Sequence, residues 1–260
     1  MSVWWNVERR DRIAVCTFTR PPRNFMSFAA MTELEKTLDE LAADESVSIV
    51  VLTGGVDGYF VAHADLDDLT KIGRGEPVEG DPLSWFRSLA LLESMPQPAV
   101  AAINGQAHGG GSEISWACTL RLLAKSGHMG QPEVVVGIIP GAGGTQRLPR
   151  LIGTGRAADL ILSGRIVGAD EALRMGLANA VLPDEGFVDH VIEWLQPMAR
   201  NPRPALAAAK KAMVEGVRSS FDDGLRLEGQ LFVQLQTGPE AIELEERALR
   251  AYREGRESGL

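Results

Sequence analysis

The chain has 260 residues, 45% of them hydrophobic and 23% charged, with a formal net charge of −9. That length and apolar content suit one large domain, or one domain with a small appendage, with residues enough for a sizeable core. The acidic balance, with basic residues scattered among acids, argues against a nucleic-acid partner, whose phosphates attract clustered Lys and Arg.

The N-terminal run "MSVWWNVERRDRIAVCTF" is interrupted by charges at once and lacks the apolar core of a signal peptide. No later run approaches the ~18 apolar residues that cross a bilayer. "IAVCTF" at 13–18 reads as a strand, and "RPPRN" stops it. Ser27 caps a predicted helix whose Met31, Leu34, Leu38 and Leu41 recur every three and four residues. "VSIVVLTGG" predicts a buried strand ending in glycines, and residues 66–72 a short helix. The next stretch, "GRGEPVEGDP" at 73–82, holds three Gly, two Pro and no periodicity, which predicts a mobile surface loop. A helix over 83–94, a strand at "AVAAIN" and a helix over 109–118 follow. Strands alternating with helices over roughly the first 190 residues indicate an α/β core with parallel pairing.

From Val188 onward the strand signals vanish. "NPRPALAAAKKAMVEG" and "AIELEERALRAYREGRE" read as helices bounded by Pro and Gly. The expected division is a core over 1–195 that carries the site and a helical region over 196–260 that packs onto a partner. Two cysteines, Cys16 and Cys118, lie apart in apolar surroundings. Neither a disulfide framework nor a CxxC metal knuckle is expected, and a reducing cytoplasm fits.

Several familiar motifs fail on inspection. "GTGRAA" at 153–158 matches a loosened dinucleotide pattern, but Pro149 and two arginines spoil the strand that should precede it. "PGAGGT" lacks the GK[ST] of a phosphate-cradling loop. GxSxG and HExxH are absent and the four histidines are dispersed, so no metal site is expected.

Two fragments carry more: "AHGGGSEISWAC" at 107–118 and "GQPEVVVGIIPGAGG" at 130–144. Taken singly, Glu113 is a first-turn acid favoured by the helix dipole, and Glu133 is a polar residue after a proline. Taken together they suggest chemistry. Consecutive glycines opening a helix let a ligand oxygen approach N–H groups at its positive end, the raw material of an oxyanion hole. An acid three residues past the middle glycine sits beside the reacting carbon, and a second acid completes a pair that handles water or protons.

The block from "AINGQAHGGGSE" through "GQPEVVVGIIPGAGGTQRLPRLIG" resembles the signature of the crotonase superfamily, specifically its enoyl-CoA hydratases and isomerases. The resemblance extends through "RPPRN", "VVLTGG", "FVAHADLDDL" and "ILSGRIVGADEALRMGLANAVLP". It implies a spiral of ββα units followed by a helical region that builds homotrimers, often paired into hexamers. It also implies an oxyanion hole at the N–H groups of Ala64 and Gly110. Glu113 would orient and activate water, and Glu133 would protonate the α-carbon of a 2-trans-enoyl-CoA. Arg23, Ala62, His63, Asp65, Leu66, Gly109, Pro140 and Gly141 fall where relatives bind substrate. No metal or redox cofactor is implied, coenzyme A being part of the substrate, and neither nucleic acid nor membrane is a partner. A double-bond isomerase, which manages with one acid at Glu133, and a thioester hydrolase remain alternatives. So does a non-catalytic acyl-CoA-binding protein, although such a role does not require a carboxylate pair.

The chain departs from the family pattern at named places. His63 stands where glycine is usual, and Gly58, Asp67 and Glu246 stand where relatives carry cations for CoA. Arg20 and Arg23 remain as candidates for its phosphates. If His63 keeps a glycine-like positive φ, strain of roughly 1–2 kcal/mol is expected. Alternatively, its protonated ring lines the mouth of the CoA site.

Overall fold

A computed structural model describes residues 3–256. The chain divides into two compact units between Asn201 and Pro202.

In the first unit, β1 (Trp5–Arg10) and β2 (Ile13–Phe18) form an antiparallel hairpin. In α1 (Phe28–Ala43) the Ser27 hydroxyl accepts the Ala30 N–H at 3.2 Å, and Met31, Leu34, Leu38 and Leu41 are buried as the spacing predicts. Three times the chain then lays down two strands followed by helix. The first turn is β3 (Ile49–Gly54), β4 (Tyr59–Val61), α2 (Leu66–Gly73) and α3 (Ser84–Ser94). The second is β5 (Ala99–Ile103), β6 (Gln106–His108) and α4 (Gly110–Ala117). The third is β7 (Leu120–Ala124), β8 (His128–Gly130), a 3-10 turn (Pro132–Val136), α5 (Gly144–Ile152) and α6 (Thr154–Ser163). The unit closes with β9 (Ile166–Gly168), α7 (Ala169–Met175), β10 (Ala180–Leu182) and α8 (Phe187–Ala199). The helix α5 standing before "GTGRAA" confirms that no strand enters that stretch.

The first strand of each pair joins a six-stranded sheet, β1-β2-β3-β5-β7-β10, parallel beyond the hairpin. The second joins a four-stranded sheet, β4-β6-β8-β9. Each ββα turn therefore advances both sheets by one strand, which is the spiral expected.

Side chains alternate across the larger sheet. Cys16, Val50, Leu52, Ala101 and Leu123 enter one core, whereas Val15, Ile49, Val51, Val100 and Leu122 enter another. Phe187, Val191, Leu195 and Ala199 of α8 close the second core. One helix stripe thus seals that face, so α8 belongs wholly to the first unit. The division accordingly falls after it and not at residue 195 inside it.

The stretch 73–82 is less free than its composition suggests. Residues 73–77 are exposed. Its C-terminal end, however, is pinned on α1, where the Asp81 N–H donates to Thr32 Oγ1 at 2.9 Å. A Cβ on Gly80 would lie 2.4 Å from the Ala29 nitrogen.

The second unit contains α9 (Arg203–Gly216), α10 (Phe221–Gln236) and α11 (Pro239–Arg253). The first and last match the expected helices, although Glu257, the end of the expected last helix, lies outside the described residues. The middle one was not foreseen. Ser220 caps it by accepting the Asp223 N–H at 3.2 Å, yet none of its residues is buried. No helix among the described residues is long and apolar enough to cross a membrane.

Candidate active site

The entry to α4 is pressed against β4. Gly109 has φ 50°, a region side chains avoid, and a Cβ on Gly111 would lie 2.0 Å from the Val61 carbonyl oxygen. At Gly110 the added Cβ would stand 3.4 Å from the Ala64 nitrogen, so these two backbone amides are neighbours. Neither N–H donates to an acceptor among the described residues.

The loop bearing Ala64 is clamped by the "RPPRN" stretch. Asn24 is fully buried at φ 52°. Its Oδ1 accepts the Arg20 N–H at 2.7 Å, and its Nδ2 donates to the carbonyls of Phe18 (3.0 Å) and Phe60 (3.1 Å). Its own carbonyl accepts the Ala62 N–H, the Met26 N–H donates to His63, and the Asp65 N–H donates to Met26. The sequence alone marks this stretch as a strand stop with two cations, inside the family resemblance, and assigns Asn24 no role. The signal available was an asparagine, one of the few side chains that tolerates positive φ.

Glu113 is 3% exposed, and its Oε1 accepts the N–H groups of Ala142 and Gly144, each at 2.8 Å. Burial, the largest influence, raises its pKa above the ordinary carboxylate value, and those two bonds and the nearby Arg147 offset part of that rise. Arg147 in turn donates to the Ala142 carbonyl and to Glu93, both at 2.7 Å. Glu133 sits on the 3-10 turn under opposite conditions. Its Oε1 lies 3.0 Å from where a Gly109 Cβ would stand, and its Oε2 is buried without a partner. Burial first, and the charge of Glu113 in addition, push its pKa up to about 7.

Both acids open on one cavity of about 490 Å³. Its walls are apolar, with Leu66 and Ile72 of α2, Phe86 of α3, Val136 at the end of the 3-10 turn, and Ile138 and Ile139 beyond it. Ala64, Gly110, His63, Gly109 and Gly141 line it as well.

Four of the expected binding residues do not line it. Ala62 is buried and offers its carbonyl to the His108 N–H at 3.1 Å. Asp65 caps α2 and pairs with Arg20 at 2.7 Å, which also commits that arginine. Pro140 is buried, its Cβ 2.8 Å from the position a Cβ on Gly144 would take. Arg23 is exposed.

His63 does not have a positive φ, so the strain expected of it does not arise. Its ring stacks on Phe25 with centroids 4.4 Å apart, and its Nδ1–H donates to the Ala64 carbonyl at 2.7 Å. Of the positions lacking a cation, Gly58 occupies a turn with φ 76°, Asp67 pairs with Lys71 at 2.5 Å, and Glu246 pairs with Arg250 at 3.5 Å.

Sequence reasoning missed His108. It lines the cavity, and its Nε2 stands 2.8 Å from the His128 Nδ1. Burial, reinforced by His128, pushes its pKa down to about 4, which leaves it neutral near pH 7. No group of three or more His, Cys, Asp or Glu placed to hold a metal ion occurs among the described residues.

Known proteins resemble this chain over most of its length. A family model described as enoyl-CoA hydratase/isomerase matches residues 8–258, farther into the C-terminal helices than the motifs quoted above. The short-chain-enoyl-CoA hydratase of Clostridium acetobutylicum is 36% identical over 231 residues, 87% of each chain. The 2,3-dehydroadipyl-CoA hydratase of Escherichia coli K12 is 34% identical over 88% of this chain and 89% of that one. The crystal structure of an enoyl-CoA hydratase from Bacillus anthracis superposes with a TM-score of 0.88 at 32% identity, covering 99% of this chain and 100% of the other. The fold and the matched length agree, and the chain belongs to the enoyl-CoA hydratase/isomerase family.

Proposed function

We propose that the protein adds water across the double bond of a 2-trans-enoyl-CoA to give a 3-hydroxyacyl-CoA. The observation that carries this reading is an unequal pair of carboxyls facing one cavity beside two undonated amides. The thioester carbonyl accepts the N–H groups of Ala64 and Gly110, which stabilise the enolate as charge develops on its oxygen. Water lies between the acids. Glu113, whose carboxylate form is favoured by two backbone donors, takes its proton as the oxygen bonds to the β-carbon. Glu133, whose pKa near 7 keeps it substantially protonated, delivers its proton to the α-carbon. The thioester is the electron sink, so the scheme uses no metal or redox centre. In the test, a short 2-trans-enoyl-CoA loses its conjugated enone absorbance on turnover. An enzyme that instead only converts a 3-enoyl thioester to the 2-enoyl isomer would gain that absorbance and overturn the reading.

The acyl group is an uncharged hydrocarbon chain. No Lys or Arg lines the cavity, and its two acids repel a second carboxylate. A dehydroadipyl thioester is therefore expected to react with kcat/KM about tenfold or more below that of a hexenoyl thioester. Equal values would contradict this.

The protein works as a homotrimer or hexamer. In support, α10 has no buried residue and exposes Phe221 (80%), Phe232 (59%) and Val233 (57%), apolar area that a partner copy would cover. A stable monomer in light scattering at micromolar concentration would contradict it. Cys16 and Cys118, both buried in apolar surroundings, support residence in the reducing cytoplasm.

A further inference from the structure

The peptide linking Gly109 to Gly110 has two working ends. Its N–H belongs to Gly110, which lines the cavity. Its carbonyl belongs to Gly109 and points the opposite way, as a trans peptide requires. That carbonyl accepts two donors: the Glu113 N–H at 3.0 Å, and the Gln131 side-chain Nε2 at 3.2 Å.

Gln131 is fully buried and does not line the cavity. Its nitrogen must face Gly109, because a carbonyl oxygen can only accept. Its Oε1 is buried without any donor. A half-satisfied buried amide costs stability, and an apolar side chain of equal length would avoid that cost. Packing therefore does not explain a glutamine here. Gly109, at φ 50° and ψ −120°, also leaves the peptide plane soft, since glycine turns between such states with little hindrance. Rotating that plane would carry the Gly110 N–H away from the cavity.

We infer that Gln131 is a positioning residue for the oxyanion hole. By hydrogen-bonding the Gly109 carbonyl it fixes the plane of the 109–110 peptide and polarises the N–H at its other end. The inference rests on the assignment of the Gly110 N–H as a donor to the thioester.

Two substitutions test it. Gln131→Met keeps the length and removes the donor, and Gln131→Asn keeps the amide but withdraws it by one methylene. If one fails to fold, the other carries the test. In each, kcat is expected to fall roughly tenfold with KM changed by no more than about twofold, the signature of a donor that acts mainly in the transition state. The second readout is the absorption band of bound hexadienoyl-CoA, recorded in the Glu133→Gln background so that the probe stays unreacted. Polarisation of its carbonyl shifts the band to the red, and the shift should shrink in both variants. A merely structural role would lower the melting temperature and leave the shift intact. A folded variant with wild-type kcat and an undiminished shift overturns the inference alone. No red shift with glutamine in place would overturn the hole assignment together with it.

Discussion

The start of α4 and the 3-10 turn present carboxyls to the same cavity, but they solvate them differently. Glu113 is almost completely buried, and the chain supplies two amides aimed at one of its oxygens. Glu133 is less buried, yet one of its oxygens meets no donor. Donors favour a carboxylate, whereas their lack favours a carboxylic acid. Burial alone would thus have favoured the acid form of Glu113 at least as much as that of Glu133. The backbone between Ala142 and Gly144 makes them different, and the comparison can be broken by removing either partner or by moving the pH.

The largest effect is expected from removing the groups themselves. Glu113→Gln and Glu133→Gln should each slow hydration by roughly 10²–10⁴. Binding of a saturated acyl-CoA should change far less, because backbone amides grip the carbonyl. Wild-type turnover in either variant would end the paired-acid mechanism. Next comes pH. Glu133 must carry a proton to deliver one, and its pKa is about 7. Above that value hydration should fall by about tenfold per pH unit. A profile of kcat that stays flat to pH 9 would separate Glu133 from the proton transfer.

A third effect concerns stability. A carboxyl whose pKa rises from 4.5 to about 7 on folding costs nothing below the unfolded value, and its cost is complete above the folded one. Glu133→Gln should therefore be more stable than the parent by about 1–3 kcal/mol at pH 8, discounted for partial exposure, and gain nothing below about pH 4.5. Thermal unfolding at both pH values measures it. The smallest effect tests the other acid. Arg147→Gln removes the charge that helps hold Glu113 ionised. The acid limb of the kcat profile should move up while the alkaline limb stays. Movement of the alkaline limb instead would mean that the limbs are assigned to the wrong acids.

The sequence carried some of this plainly. The Ser27 cap and its three-and-four spacing gave α1, and the apolar runs gave β2, β3 and β5, because periodicity and burial coincide there. The strands β4, β6, β8 and β9 have three residues each, too few to show any period, and exist only through their neighbours in the second sheet. β1 was missed because an edge strand with four exposed residues in a row reads as a charged terminus. α10 was missed because Gly224 and Gly229 weaken its propensity, and none of its apolar residues is buried in this chain. At the site, Glu113 and Glu133 were legible through their glycines. Asn24, His108 and Gln131 were not, since each acts through contacts across distant parts of the chain.

The outer wall of the cavity is built from different material than its floor. Val135, Val136, Ile138 and Ile139 are 72%, 62%, 48% and 68% exposed, whereas Glu113 on the floor is 3% exposed. Exchanging a side chain on that rim leaves the fold and the acids untouched, because little packs against it. Lineages descended from this chain therefore have a short route to new acyl specificities, four neighbouring codons, along which the hydration chemistry travels unchanged.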